Sequence, residues 1–497
     1  MAAGPVMRVV IANRGEVAGR IIRACQELGY TSVLLHSTPD KNTPAFRMAD
    51  ETVELPGQTP LETYLNIPVV LQAAMKADAQ MLHPGFGFLS ENGTFAEEAT
   101  NAGIIFVGPS AEAIRVAGNK IKAKELARKA KVPTVPSYTG TERDGKKLLA
   151  EAKKIGFPCI IKAAAGGGGK GMKVVREESE FNELLDSARR EALNAFGSDV
   201  IFMEKYLEHP RHIEVQIMMD SKGNGVHFFE RECSIQRRHQ KILEETPSTA
   251  LTPKLRDEIT SCALRLAEEA GYVNAGTVEF LLDSKNNFFF MELNTRLQVE
   301  HTVTEMVCGV DLVHLQFAVA LGEKIPLRQE QITQRGHALE ARIYAENPSK
   351  NFLPSTGRLG QVILPLGPCR RFDFGYAATD EITPFYDPMI GKVITWAPSR
   401  AENLKRMHAT LSELVIFGVF TNIEFLKAVL ENAKFQNNQV STSFLEEQFG
   451  EGFTAKPLSQ GQHEFGREAT QAARAIATGI NGSHGTGLQY QSPWTNS

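Results

Sequence analysis

Residues 7–36 read in order as a strand, a turn, a helix and a second strand, which predicts a parallel βαβ unit of Rossmann-like type. Apolar MRVVIA leads into a turn at residues 13–16, and Gly29 separates the helical stretch from the run TSVLLHS. Strand-like and helical pieces then alternate to about Gly108, as they do in a doubly wound sheet. Because the first turn lacks GxGxxG, we expect no dinucleotide site there.

The later part of the chain predicts α+β regions, so the fold class is α/β followed by α+β. A helical bridge covers roughly residues 110–131, and two prolines at 133 and 136 mark a boundary. Residues 134–206 predict a small α+β domain, and residues 207–450 a larger one that is rich in short strands. Residues 451–497 are heavy in Gly, Gln, Ser and Thr and predict a linker-like tail.

Charge and cysteine content exclude several classes of protein. Lys plus Arg is 54 and Asp plus Glu is 58, so the net charge of −4 gives no reason to expect a nucleic-acid partner. The six cysteines form no CxxC pair, which argues against a disulfide framework and a structural zinc site. No signal-like start or run of eighteen apolar residues indicates a membrane. We expect a cytoplasmic location, or the mitochondrial matrix in a eukaryote.

Five glycines crowd residues 166–171, between the strand-like pieces FPCIIKAAA and MKVV. The formal GxGxxG match is weak because a strand follows it, not a helix. A glycine hairpin whose bare amides close over a triphosphate fits better, and Lys162 on the preceding strand would add positive charge. The alternative is an ordinary surface turn, which seldom needs so many glycines.

Acidic side chains interrupt two apolar strands. Glu279 lies in GTVEFLL, and Glu292 lies in FFFMELN with Asn294 two residues later. Alternate residues of a strand share a face, so Glu292 and Asn294 point the same way. Oxygen ligands of this kind suit magnesium that already carries nucleotide phosphates. The alternative is a pair of surface acids, although these rarely interrupt such apolar runs.

Arg296, Gln298 and Glu300 follow at period-two spacing, a set that would bind and deprotonate a small planar anion. Two further segments are weaker signals. Residues 204–207 could hold an adenine at a hinge, although a charged strand end is the commoner explanation. The basic string at residues 236–241 suits anionic substrates, although such a run is more often a solvated face.

Together these segments resemble the biotin carboxylase family of ATP-grasp ligases, over nearly the whole of residues 7–450. The segments that carry the resemblance are VIANRGEVAGRIIRAC, HPGFGFLSEN, IIKAAAGGGGKGM, MEKYLEHPRHIEVQ, ERECSIQRRHQKILEE, GTVEFLL, MELNTRLQVEH and HALEARIYAE. The resemblance implies an N-terminal biotin carboxylase domain (1–133), an ATP-grasp lid domain (134–206), an ATP-grasp catalytic domain (207–335) and a biotin carboxylase C-terminal domain (336–450).

The resemblance also implies roles for individual residues. Nucleotide contacts fall on Lys120, Lys162, Gly168, Gly169, Glu204, Lys205, Leu207, His212, Gln236 and His239. Magnesium, or manganese in its place, would be bound by Glu279, Glu292 and Asn294. Bicarbonate would be bound by Lys241, Arg296, Gln298 and Val299. Glu300 would be its base, and Arg342 would contact the biotin ureido oxygen. Three positions depart from the family pattern: Phe86 replaces a usual Tyr, Asn119 a usual Asp and Ala165 a frequent Gly.

The implied reaction is ATP- and bicarbonate-dependent carboxylation of biotin on a carrier protein, through carboxyphosphate, with a carboxyltransferase as further partner. An acyl-CoA carboxylase of the acetyl-CoA or propionyl-CoA type is expected, with a pyruvate carboxylase module or another bicarbonate-using ATP-grasp ligase as the alternatives. The resemblance further implies a homodimer. Arg20, Arg23 and Glu27 form a charged helix face that could pair across a two-fold axis.

Overall fold

The computed structural model of the chain describes residues 6–138, 140, 142–163, 172–450 and 452–454. The glycine run, with Gly168 and Gly169, lies outside the described residues, as does the predicted tail apart from residues 452–454.

The N-terminal region is a parallel sheet with strand order β3–β2–β1–β4–β5, as the alternation of strands and helices predicted. Val9, Val10 and Ile11 of β1 are fully buried, because helices cover both faces of the sheet. The elements are β1 (Arg8–Ile11), α1 (Gly15–Leu28), β2 (Thr31–Ser37), α2 (Pro44–Met48), β3 (Glu51–Leu55), α3 (Ile67–Lys76), β4 (Met81–His83), α4 (Gly93–Asn101), β5 (Ile105–Phe106), α5 (Ala111–Gly118) and α6 (Lys120–Lys129).

Helix α1 does not present the whole charged face that the sequence suggested. Arg20 is 4% exposed, and its Nη2 lies 2.8 Å from Glu305 and 2.7 Å from Asp311 of the same chain. Arg23 and Glu27 are more exposed, at 38% and 62% of their side chains, although Arg23 pairs with Asp373 at 3.2 Å and Glu27 lies 3.0 Å from His314. The expectation of a three-residue pairing face is therefore wrong for Arg20, because packing of the helix against its own chain already satisfies that charge.

The next region is a small antiparallel sheet with strand order β6–β9–β7–β8. Its apolar residues Leu148, Ile161, Phe181 and Met203 form a core of their own beneath two helices. The elements are β6 (Ser137–Tyr138), α7 (Gly145–Ile155), β7 (Cys159–Ala163), β8 (Lys173–Val175), α8 (Phe181–Phe196) and β9 (Ile201–Lys205).

An antiparallel sheet of eight strands, ordered β14–β13–β10–β11–β12–β15–β22–β20, dominates the remainder of the described chain. Its elements and the small strands and helices around it are β10 (Arg211–Met219), β11 (Gly225–Arg237), β12 (Gln240–Thr246), α9 (Pro253–Glu269), β13 (Asn274–Leu282), β14 (Phe288–Asn294), α10 (His301–Cys308), α11 (Leu312–Ala320), β15 (His337–Tyr344), β16 (Glu346–Asn347), β17 (Leu353–Pro354), β18 (Gly357–Arg358), β19 (Gln361–Ile363), β20 (Arg370–Phe374), β21 (Glu381–Ile382), β22 (Met389–Ala397), α12 (Arg400–Glu413), β23 (Val415–Phe417), α13 (Ile423–Glu431), α14 (Ala433–Gln436) and α15 (Phe444–Phe449).

The two faces of this sheet differ in chemistry. On β10, Ile213, Val215 and Ile217 pack into an apolar core with helix α9. The alternate residues, among them His212 and Glu214, are equally buried but point to the opposite face. One face of the sheet therefore stabilises the fold, and the other holds polar groups away from bulk water.

Strands on both sides of residue 335 share the eight-stranded sheet through the β12–β15 pairing. The domain boundaries at residues 133, 206, 335 and 450 stay predictions. No single described helix is both long and apolar enough to cross a membrane. Helices α10 and α11, which are bent by 99° relative to each other, are together long and apolar enough by length and composition alone.

Candidate active site

Three glutamates lie side by side on the polar face of the eight-stranded sheet. Glu279 on β13 is directly opposite Glu214 on β10 and Glu292 on β14. Directly opposed side chains in antiparallel strands are neighbours, and like charges in that position repel. A compensating cation is therefore required here, and the strand periodicity that predicted the Glu279–Glu292 pair is confirmed by the register.

Lys241 supplies positive charge at the centre of these acids. Its Nζ lies 2.5 Å from Glu214, 2.9 Å from Glu279 and 2.6 Å from Glu300, and it donates to Gln298 Oε1 at 3.2 Å. Burial alone would lower the pKa of Lys241, but the three carboxylates raise it well above its usual value. The ammonium therefore stays charged and joins the acids of the strands to the loop before α10.

Glu300 is held from two sides. Its Oε1 accepts from Lys241 at 2.6 Å, and its Oε2 accepts from Arg342 at 2.9 Å. Burial would raise the pKa of Glu300, but Lys241, Arg342 and Arg231 together hold it well below its usual range. The carboxylate is therefore ionised and fixed in orientation, as a proton acceptor must be.

Arg342 reaches Glu300 from β15 and is only 7% exposed. Its Nε also donates to Glu244 at 2.6 Å. Burial, together with the charges of Glu340 and Glu300, raises the pKa of Glu244 to about 8 despite Arg342. Arg342 itself stays charged, because Glu244 and Glu300 raise the pKa of its guanidinium well above the usual value against the effect of burial.

The loop that carries Arg296, Gln298 and Glu300 is not a strand, so the period-two premise was wrong. Strand β14 ends at Asn294, and α10 begins at His301. Gln298 and Glu300 still meet Lys241, whereas Arg296 donates to Glu91 at 2.9 Å. Backbone turns, and not strand alternation, direct these side chains.

The residues proposed for the nucleotide surround a second carboxylate. Glu204 accepts from Lys162 at 2.8 Å and pairs with Lys124. Burial would raise the pKa of Glu204, but these two lysines lower it to about 2. Lys120 is half-buried at the start of α6, a helix whose first turn is capped by the Asn119 side chain. A cluster of lysines near one acid suits a polyphosphate.

The neighbouring positions differ in what their side chains already bind. The Nζ of Lys205 donates to the carbonyls of Gly156 and Phe157, so this side chain is committed within the chain. Leu207 is half-buried, and His239 is exposed. Gln236 is within 2.8 Å of His212 Nδ1, and the opposite ring nitrogen of His212 lies 2.9 Å from Glu279. The histidine thus links the predicted nucleotide residues to the acidic strands.

The residues proposed for magnesium fit a divalent cation. Burial, and then the charge of Glu279, raises the pKa of Glu292 above its usual value, which a cation shared by the two would reverse. Asn294 is buried on the same face of β14 as Glu292, opposite Thr277 of β13. Carboxylate and amide oxygens are the ligands that Mg²⁺ takes in proteins.

Five charged residues of the site escaped the sequence reasoning: Glu91, Lys124, Glu214, Arg231 and Glu244. The signal for Glu214 was present, because it interrupts the apolar strand HIEVQIMMD as Glu279 interrupts its own strand. Arg231 is fully buried and lies 2.5 Å from Glu214.

The class of protein is an ATP-grasp ligase. Its features here are a domain with a parallel sheet, a small domain with an antiparallel sheet, and a larger sheet that carries opposed acids and buried lysines. Profiles of three domains cover the chain: biotin carboxylase N-terminal domain (residues 5–114), carbamoyl-phosphate synthase L chain ATP-binding domain (119–328) and biotin carboxylase C-terminal domain (340–447). The chain belongs to the biotin carboxylase family. It is therefore an enzyme of a class that uses ATP and Mg²⁺ and carboxylates biotin.

Individual relatives agree with this assignment. The biotin carboxylase of Nostoc sp. is 48% identical over 443 residues, which cover 88% of this chain and 98% of the relative. The alpha subunit of mitochondrial methylcrotonoyl-CoA carboxylase from Rattus norvegicus is 46% identical, over 89% of this chain but 62% of the relative. A pyruvate carboxylase subunit of Methanothermobacter thermautotrophicus is 47% identical over 88% of this chain and 89% of the relative.

Solved structures show the same fold. The biotin carboxylase–ATP complex of Campylobacter jejuni superposes with a TM-score of 0.86 at 42% identity, over 89% of this chain and 99% of that one. The biotin carboxylase domain dimer of Hydrogenobacter thermophilus 2-oxoglutarate carboxylase, solved with MgADP, ADP and bicarbonate, gives 0.87 at 41% identity, over 91% of this chain and 100% of that one. The predicted fold class is confirmed.

Proposed function

We propose that this enzyme carboxylates biotin on a carrier protein, as the first half-reaction of an acyl-CoA carboxylase of the acetyl-CoA or propionyl-CoA type. The observation that carries the proposal is the position of Glu300, with one carboxylate oxygen on Lys241 and the other on Arg342. This base lies between two cations, so it can deprotonate an anion bound at Lys241, while a second anionic group binds at Arg342.

Bicarbonate would lie near Lys241, Arg296, Gln298 and the backbone of Val299. Glu300 accepts its proton, and the freed oxyanion attacks the γ-phosphate of ATP to give carboxyphosphate and ADP. Lys162 and Arg296 would neutralise charge as it develops on the transferred phosphoryl group. Glu279 and Glu292, with Asn294, would hold Mg²⁺, which neutralises charge on the nucleotide phosphates.

Carboxyphosphate releases CO₂ and phosphate, and this phosphate takes the proton from biotin N1′. The ureido oxygen gains negative charge in that step, and Arg342 would donate to it. Arg342 is charged at that moment, because Glu244 and Glu300 hold its pKa well above the usual value against the effect of burial. Attack of N1′ on CO₂ completes carboxybiotin.

The nucleotide would lie between the small antiparallel domain and the large sheet. Lys120, Lys162 and the amides of Gly168 and Gly169 would contact its phosphates. The adenine would be framed by Glu204, Lys205 and Leu207, and the rest of the nucleotide site would be lined by His212, Gln236 and His239. The capped start of α6 supports the role of Lys120, because the cap fixes the backbone of that residue.

A pyruvate carboxylase module is the second candidate, supported by the 47% identity to the pyruvate carboxylase polypeptide of Methanothermobacter thermautotrophicus. We further propose a homodimer in the cytoplasm, on the strength of the dimeric relative. Light scattering at micromolar concentration should give twice the chain mass of 54.7 kDa, and a monomeric mass would contradict the dimer.

The test of function measures ADP formation by the purified enzyme with MgATP, with and without bicarbonate and free biotin. We expect ADP formation to depend on bicarbonate and to rise with biotin, with labelled bicarbonate appearing in carboxybiotin. Dependence on ammonia or an amino acid in place of biotin would point to another ATP-grasp ligase. Addition of carrier and carboxyltransferase, with acetyl-CoA, propionyl-CoA and pyruvate in parallel, then identifies the acceptor.

A further inference from the structure

Lys392 is a fully buried cation to which neither the sequence motifs nor the proposed reaction gives a role. It lies on β22, directly opposite Arg342 of β15 and Asp373 of β20. Directly opposed residues share a face of the sheet, so Lys392 and Arg342 both point towards the loop before α10. Arg342 binds the side chain of Glu300, and the Nζ of Lys392 donates to the backbone carbonyl of Val299.

The charges around Lys392 explain how a lysine can be buried here. Its Nζ lies 3.4 Å from Oε1 of Glu16, at the start of α1. No hydrogen bond reaches either carboxylate oxygen of Glu16 within the described part of the chain. Burial raises the pKa of Glu16 to about 7, against the opposing effect of Lys392. Asp373 is already paired with Arg371 at 2.7 Å.

The pairing of Lys392 with Glu16 is loose for a buried ion pair, because its distance is 3.4 Å and it lacks supporting hydrogen bonds. Burial would lower the pKa of Lys392, but Glu16, Glu340 and Asp373 raise it above its usual value, so the ammonium stays charged. The hydrogen bond that this ammonium donates goes to the carbonyl of Val299. This carbonyl belongs to the peptide that joins Val299 to Glu300, so a charged donor both fixes and polarises the backbone of the base.

We propose that Lys392 is a positioning residue for bicarbonate, which orients the Val299–Glu300 peptide while Arg342 orients the Glu300 carboxylate. The role rests on the proposed function, since it concerns the bicarbonate end of that site. Two cations from neighbouring strands would thus hold one residue by its backbone and by its side chain. Loss of the backbone contact should weaken bicarbonate use and leave the nucleotide contacts, which lie on other strands, intact.

Lys392→Met keeps the length of the side chain and removes its charge. We expect kcat/KM for bicarbonate to fall by roughly tenfold to a hundredfold, as for loss of one charged hydrogen bond. The KM for ATP should change by less than about threefold. Lys405→Met, at an exposed lysine of α12, is the matched control and should behave as wild type.

A second variant separates positioning from folding, because Lys392→Met alone leaves Glu16 buried without its cation. The double variant Glu16→Gln/Lys392→Met removes both charges of this pair and should recover part of the Tm that the single variant loses, since Glu340 and Asp373 remain without that cation. If Lys392 positions the peptide, the double variant still has a low kcat/KM for bicarbonate. Recovery of bicarbonate kinetics together with Tm would overturn the proposal, as would an equal rise of both KM values.

Failure of the proposed function itself looks different. In that case wild type and Lys405→Met form no bicarbonate-dependent ADP, and the role of Lys392 falls with it. Wild-type activity with unchanged kinetics in both Lys392 variants would refute the positioning role alone.

Discussion

Arg342→Ser tests whether this arginine serves carboxylation of biotin and not ATP cleavage. The guanidinium donates to Glu244 at 2.6 Å and to Glu300 at 2.9 Å. Loss of an oxyanion donor costs about 3 kcal/mol in the transition state, which is roughly a hundredfold in carboxybiotin formation. Lys241 still holds the other oxygen of Glu300 at 2.6 Å, so ADP formation should fall by less than about tenfold.

The same substitution should cost stability, because two buried glutamates lose a shared cation. Breaking a buried pair costs roughly 3–5 kcal/mol. Thermal unfolding with the exposed Arg335→Ser as control checks this, and kinetics are then measured well below the lower Tm.

The assay counts ADP and carboxybiotin in the same tube for Arg342→Ser, Arg335→Ser and Glu300→Gln. Glu300 acts before phosphoryl transfer, so Glu300→Gln should depress both products by roughly a hundredfold or more. Arg342→Ser should separate them. A parallel loss of ADP and carboxybiotin in Arg342→Ser would place Arg342 at bicarbonate or the nucleotide and refute the division of roles.

Two further outcomes follow from the metal residues and from a buried histidine. Removal of divalent cations should abolish ADP formation until Mg²⁺ or Mn²⁺ is restored. Glu292→Gln should raise the Mg²⁺ concentration needed for half-maximal ADP formation by roughly tenfold or more. An unchanged concentration in a Mg²⁺ titration would exclude Glu292 as a ligand. Burial lowers the pKa of His83 from 6.5 to about 3. Between these two pH values the histidine is protonated in the unfolded state and neutral in the folded state, so the free energy of unfolding decreases as pH falls. Relative to wild type, the free energy of unfolding of His83→Gln should therefore increase by about 1.4 kcal/mol for each pH unit from pH 6 down to pH 4, as measured by urea unfolding. A difference between the two proteins that does not change with pH would show that His83 does not titrate in this way.

The sequence by itself determined the features that depend on local periodicity. Alternation along a strand placed Glu279 and Glu292 on buried apolar strands, and the observed register sets them opposite each other. The run of strands and helices before Gly108 likewise determined the parallel N-terminal sheet. Both follow because side-chain direction within a strand or helix is fixed by backbone geometry over a few residues.

Only the tertiary structure decided which charges meet. Lys241 reaches Glu300 across 59 residues, Arg342 reaches it across 42, and Lys392 reaches Val299 across 93. Arg296, assigned from spacing to the same face as Glu300, instead meets Glu91 because the segment is a loop. Such pairings depend on strand order and loop paths, which are set by packing of the whole sheet and leave no periodic trace in the sequence.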